Sequence, residues 1–139
     1  MNIGTHMIKS WASTQQKIAL SSAEAELYAL VKGVCQTKGL MSLMKDFGYE
    51  FKATACSDAS AAIGIAYRQG LGKVRHVDVQ YLWIQSEVAQ GKVGLRKVDT
   101  KENPADLMTK PVNAETMHKH MAKLCFKVSK SRASLAPHL

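Results

Sequence analysis

The sequence predicts a mixed α/β layer fold with a parallel component, and three observations predict it. Strand-like and helix-like stretches follow one another as strand, helix, strand, helix, helix, strand, helix, the alternation of a layered fold with a parallel component. A capping box, Ser21 with Glu24 three residues on, opens a long apolar stripe of helical spacing. The chain has 139 residues, enough for one domain that buries roughly two-thirds of its unfolded surface.

Taken in order, residues 8–20 (Ile-Lys-Ser-Trp-Ala-Ser-Thr-Gln-Gln-Lys-Ile-Ala-Leu) carry β-branched and aromatic side chains and read as a strand or hairpin arm. In the capping box the Ser21 hydroxyl accepts from the N3 amide and Glu24 reaches back to the cap amide. Leu27, Leu30, Val31, Val34, Met41 and Met44 then extend a helix to about Asp46, with Gly48 as its stop. Phe51 to Ser57 reads as a short strand ending at Asp58, and Ala59 to Arg68 as an alanine-rich helix. Gly70-Leu71-Gly72-Lys73 forms a basic loop. Val77, Tyr81, Ile84 and Val88, spaced four, three and four, place an amphipathic helix over Val74 to Gln90, closed by Gly91. A strand follows over Val93 to Val98, and a short helix over Ala105 to Lys110 stops before Pro111. Glu115 to Phe126 reads as a last helix, and disorder is expected from Ser129.

Composition narrows the function classes. No apolar run approaches the roughly 20 residues that span a bilayer, and Met1 to Lys9 has no secretory layout, so a soluble intracellular protein with no membrane partner is expected. Cys35, Cys56 and Cys125 form no CxxC pair, so buried reduced thiols are expected rather than a zinc site or a disulfide framework. His118 and His120 would point about 200° apart on a helix, which argues against a shared metal. Nineteen Lys and Arg against eleven Asp and Glu leave a formal charge of +8, which favours an anionic partner such as nucleic acid. Much of that excess follows residue 118, where a solvated basic tail would look the same.

Three acids stand where an acid is awkward without a task. Glu26 lies in the first two turns of the long helix, Asp58 ends a strand of small residues, and Asp106 opens a late helix. Strand ends and helix starts converge on one edge of an α/β sheet, so such carboxylates can meet there. Clustered carboxylates repel unless a cation neutralises them, and hard oxygen ligands suit Mg²⁺. Two such ions about 4 Å apart activate a water and stabilise the leaving oxygen of a phosphoryl displacement. Each acid also has a structural reading. Glu24 is accounted for by capping, Glu26 by the helix dipole, Asp58 as an N-cap for the helix at Ala59, and Asp106 as a helix-start acid. Spacing alone leaves both readings open.

Four segments then carry a resemblance. Residues 10–30, Ser-Trp-Ala-Ser-Thr-Gln-Gln-Lys-Ile-Ala-Leu-Ser-Ser-Ala-Glu-Ala-Glu-Leu-Tyr-Ala-Leu, resemble the signature of the ribonuclease H domain in copia-type LTR retrotransposon polyproteins. Residues 56–63 (Cys-Ser-Asp-Ala-Ser-Ala-Ala-Ile), 75–81 (Arg-His-Val-Asp-Val-Gln-Tyr) and 103–111 (Asn-Pro-Ala-Asp-Leu-Met-Thr-Lys-Pro) are similar to later segments of that family, in the same order. The resemblance covers roughly residues 8–112 and implies a ribonuclease H-like mixed sheet flanked by helices. Residues 113–139 would form a basic extension, partly helical and then disordered. It further implies that Glu26, Asp58 and Asp106, with one more aspartate, hold two Mg²⁺ (Mn²⁺ as a substitute) and hydrolyse the RNA strand of an RNA–DNA hybrid.

In that family the further aspartate lies on a first strand ahead of the Ser-Trp segment. Only nine residues precede Ser10 here, and none is acidic. The expectation is a domain missing its first strand and most of the second, with weakened metal binding and little or no activity. Arg68, Lys73, Arg75 and His76 are candidates for contact with the nucleic acid, a solvated loop being the plainer alternative. Expected partners are the hybrid or another nucleic acid, and the reverse transcriptase domain of the same polyprotein if a longer chain exists. Two other classes remain open. A non-catalytic basic nucleic-acid-binding module would bind in a salt-sensitive, Mg²⁺-independent way. An interaction fragment would complete its sheet with a strand from another chain.

Overall fold

The computed structural model describes residues 1–15, 17–70, 72 and 79–126, excepting the side chain of Gln80. It is a mixed α/β structure with four α-helices and two small sheets among the described residues. It divides into two compact units, one of Ser13–Asn103 and one of Met1–Ala12 with the chain from Pro104 onward.

In the larger unit the helix α1, Ser22–Asp46, starts where the capping box predicts. The Ser21 hydroxyl accepts the Glu24 amide at 3.2 Å, while the Glu24 carboxylate accepts the Leu20 amide at 2.8 Å, one residue earlier than the box pattern. Gly48, at φ +83, ends the helix as expected. Its amide donates to Lys45 and the Tyr49 amide to Met44, so two end carbonyls are satisfied by a Schellman motif.

Strand β3, Ala53–Ser57, pairs in parallel with β4, Val93–Lys97, in the register Ala53↔Val93 through Ser57↔Lys97. A parallel pair needs a long crossover. Here it includes α2, Ser60–Tyr67, a 3₁₀ turn at Val79–Leu82, and α3, Trp83–Ala89. The core lies where these elements meet. Leu27, Leu30, Val31 and Val34 of α1 cluster with Ala62, Ile65 and Ala66 of α2, Ile84 of α3, and Ala53 and Val93 of the strands. Leu27, Ala62 and Ile84 are completely buried, so a burial-driven contribution of roughly 1.5–3 kcal/mol applies to Leu27 and to Ile84.

The smaller unit holds a two-residue-per-strand hairpin, β1 (Asn2–Ile3) with β2 (His6–Met7), which the sequence reading did not anticipate. Gly4, at φ +58, supplies the first central position of its tight turn. The Met1 amine donates to the Lys9 carbonyl at 2.8 Å, and burial lowers its pKa below the ordinary value. A 3₁₀ helix at Pro104–Met108 and the helix α4, Ala114–Lys123, complete this unit. Asn113 caps α4, its side chain accepting the Thr116 amide at 2.8 Å.

Several expectations are corrected. The described residues of 8–20 form no strand. Strand propensity is realised only by pairing, and here polar side chains tie the segment to α1 instead. Gln15 donates to the Ala25 carbonyl at 2.8 Å and Lys32 to the Ser13 hydroxyl at 2.7 Å. The helix expected over Val74 to Gln90 is 3₁₀ at Val79–Leu82 and α only from Trp83, and its beginning lies outside the described residues. The late helix over Ala105 to Lys110 is 3₁₀ in its body. All three cysteines are exposed, not buried. Cys56 falls on the outward positions of β3, Cys35 on the outer side of α1 beside buried Val34, and Cys125 just beyond α4. The disorder expected from Ser129 lies outside the described residues. No described helix is long and apolar enough to cross a membrane.

Candidate functional site

Glu24 and Glu26 are two apart on α1, so they project about 200° apart. Glu24 faces inward and is buried, accepting from the Leu20 amide and from the Tyr28 hydroxyl. Tyr28 in turn packs on Tyr81, the ring centroids 4.1 Å apart. Glu26 is exposed, and no described residue donates to its carboxylate. Burial and bonding therefore give Glu24 a structural task and leave Glu26 facing solvent.

Asp58 follows the last residue of β3 and is half-buried. The structural reading made it the N-cap of α2, but that position belongs to Ala59, and no side chain caps the helix there. The turn is closed by Ser57, whose hydroxyl accepts the Ala59 amide at 3.1 Å. No described residue bonds or ion-pairs with the Asp58 carboxylate. A carboxylate at the carboxyl end of a parallel strand, without a capping role, is the arrangement that ligand sites of open α/β sheets use.

Asp106 lies in the other unit, within the 3₁₀ helix Pro104–Met108 rather than at the start of an α-helix. Its side chain is 16% exposed and pairs with Lys110 at 3.0 Å. Glu26 and Asp58 share the larger unit. Among the described residues, no three of His, Cys, Asp and Glu gather into a group that could hold a metal ion.

Of the candidate nucleic-acid contacts, Lys73, Arg75 and His76 lie outside the described residues. Arg68 is the C-cap of α2 and is half-buried. Its guanidinium lies against Gly72: a Cβ added at Gly72, where φ is +56, would stand 2.7 Å from a terminal guanidinium nitrogen. The turn between them is held by a residue that the sequence reading passed over. Gln85 of α3 is buried, and its side-chain oxygen accepts the Gly70 amide at 2.9 Å. Its side-chain nitrogen donates to the Ile65 carbonyl at 2.8 Å and to the Gly70 carbonyl at 3.0 Å. The available signal was a glutamine beside Ile84 on a helix otherwise read by its apolar stripe. Such a buried amide is retained only when its hydrogen bonds are met.

The comparisons with known proteins point one way. The chain is similar to the retrovirus-related Pol polyprotein from transposon TNT 1-94 of Nicotiana tabacum, 33% identical over 106 residues, 74% of this chain and 8% of that protein. It is likewise similar to the Pol polyproteins from transposons RE1 and RE2 of Arabidopsis thaliana. They are 25% identical over 126 residues (88% of this chain) and 27% identical over 115 residues (80%), each match again spanning 8% of the relative. No family model and no solved structure matches the chain.

Proposed function

The chain is a homologue of one short segment of the retrovirus-related Pol polyproteins of plant transposons, and from that premise we propose that it is a fragment of their ribonuclease H domain. An intact domain of this kind hydrolyses the RNA strand of an RNA–DNA hybrid with two Mg²⁺. In such a domain Glu26, Asp58 and Asp106 would hold the metal ions. Ions held there would activate a water and stabilise charge on the leaving oxygen. Arg68, and in sequence Lys73, Arg75 and His76, contribute contacts to the phosphate backbone of the hybrid.

Asp58 carries this reading. It stands at the carboxyl end of β3 with no described partner, and the helix that follows does not use it as a cap. The four ordered segments named above and the Pol relatives support it. Glu26, Asp58 and Asp106 are three acids of a set that in the family has four.

The test is Mg²⁺- or Mn²⁺-dependent cleavage of a labelled RNA–DNA hybrid, by the 139 residues alone and by a version extended upstream with an acid-bearing strand. The extended protein should cleave, and Glu26→Gln or Asp58→Asn should each abolish the cleavage. An extended, folded protein that leaves the hybrid intact would sink the ribonuclease reading.

A further inference from the structure

A surface turn usually satisfies its backbone groups with water. At Gly70, just after α2, one buried side chain does so instead: Gln85 takes both the amide and the carbonyl of that glycine together with the carbonyl of Ile65, three residues before Arg68. All three hydrogen-bonding positions used lie on the chain that flanks Arg68. The acceptor oxygen and both N–H groups of one amide are engaged, so the turn cannot shift without breaking several bonds at once. On its far side the turn presents Gly72, whose missing side chain leaves the space that the Arg68 guanidinium occupies. An arginine is bracketed between a fixed turn and a bare glycine backbone.

We propose that Gln85 and Gly72 are positioning residues for Arg68, which they hold ready to meet a phosphodiester of the bound nucleic acid. The proposal rests on the nucleic-acid reading above and adds residues that it does not contain. Arg68 is the contact group; Gln85 touches no ligand and acts by fixing the backbone on which Arg68 sits. Holding a planar, five-donor guanidinium in one place saves the ordering cost of binding a phosphate.

The experiment measures binding of a labelled RNA–DNA hybrid without divalent metal, across a salt series, for the full chain and for Arg68→Ala, Gln85→Met and the double variant. Gln85→Glu is a second substitution of the same shape, and circular dichroism reports folding throughout. Arg68→Ala should weaken binding on the order of tenfold and lower the salt slope by about one phosphate contact. Gln85→Met should reproduce most of that loss and the same change in slope, and should add nothing in the Arg68→Ala background. Amide exchange at Gly70 should quicken in both Gln85 variants. A merely structural Gln85 would lower the melting temperature but leave the slope of the folded protein at the parent value, or would weaken the Arg68→Ala protein further. Either result overturns the proposal. If the parent chain and Arg68→Ala bind alike, the phosphate role of Arg68 fails first, and the proposal with it. If Arg68→Ala is defective and the folded Gln85 variants bind like the parent, the nucleic-acid reading stands and the positioning role alone is lost.

Discussion

The Tyr28 hydroxyl donates to the buried carboxylate of Glu24, one helical turn earlier on α1, while Glu26 between them in sequence faces solvent. Two glutamates in one Ala-Glu-Ala-Glu run thus have separate fates. Glu24 links the entry of α1, through the Leu20 amide, to the Tyr28–Tyr81 ring pair. Glu24→Ala should cost about 1–3 kcal/mol in urea unfolding, because two donors lose their acceptor, one of them in a buried bond. Glu26→Gln should stay within about 0.5 kcal/mol of the parent. A comparable loss for both would contradict their opposite facing.

A second tie joins α1 to α3. Glu87 is buried and ion-pairs with Lys38, whose ammonium also lies 5.2 Å from the centre of the Trp83 ring. The pair is asymmetric, since the Lys38 side chain is 37% exposed and that of Glu87 only 6%. Removing the lysine strands a buried carboxylate, although Lys92 at 4.0 Å offers a partial substitute. Removing the glutamate leaves a cation that can turn to water. Lys38→Met should therefore cost more than an exposed pair does, about 1–3 kcal/mol. Lys38→Met combined with Glu87→Leu should recover part of that loss. A double variant worse than the sum of the singles would show that the pair was never a unit.

How far the fold could be read from the sequence depended on whether the signal was local. The start of α1 rested on Ser21 and Glu24, three residues apart, and its end on Gly48; both stand where they were expected. β3, α2 and β4 were legible for the same reason, each being bounded by its own turn residues. The segment 8–20 was misread because strand formation is decided by a partner, which a one-dimensional pattern does not contain. The cysteines were misjudged because burial follows the direction of a side chain on its element rather than its residue type. Asp58 stands at the end of β3, where its strand pattern put it, but its capping alternative failed only once Ala59 and Ser57 were seen to fill the turn. Gln85 was illegible, since its three hydrogen bonds reach two residues, Gly70 and Ile65, 15 and 20 positions away.

Three of the four α-helices end in the same way, and one does so at a disadvantage. After α1 and α3 the left-handed position is glycine, Gly48 at φ +83 and Gly91 at φ +67. After α4 it is Cys125 at φ +58, with its amide bonded to Ala122 and the Phe126 amide to Met121. A side chain in that conformation costs roughly 1–2 kcal/mol, part of which glycine would return through its freer unfolded chain. Cys125→Gly should thus stabilise α4 by about 0.5–1 kcal/mol, read as slower amide exchange in its last turn. Cys125→Val should move exchange the other way.

Gly72 and Gly91 separate the cost of a backbone conformation from the consequence of a contact. Both have positive φ, +56 and +67, so alanine at either should cost about 1 kcal/mol by conformation alone. A Cβ at Gly91 meets nothing within 4 Å, whereas a Cβ at Gly72 collides with the Arg68 guanidinium. That collision is with the far end of a long side chain, which can swing away cheaply, so the two stability losses should be similar. Their effects on nucleic-acid binding should differ. Gly91→Ala should bind a hybrid as the parent does, while Gly72→Ala should lose affinity and salt slope together, because the guanidinium is pushed from its place. Matched melts with unequal binding would tie the glycine to the arginine. Matched melts with matched binding would leave Gly72 as a turn former and nothing more.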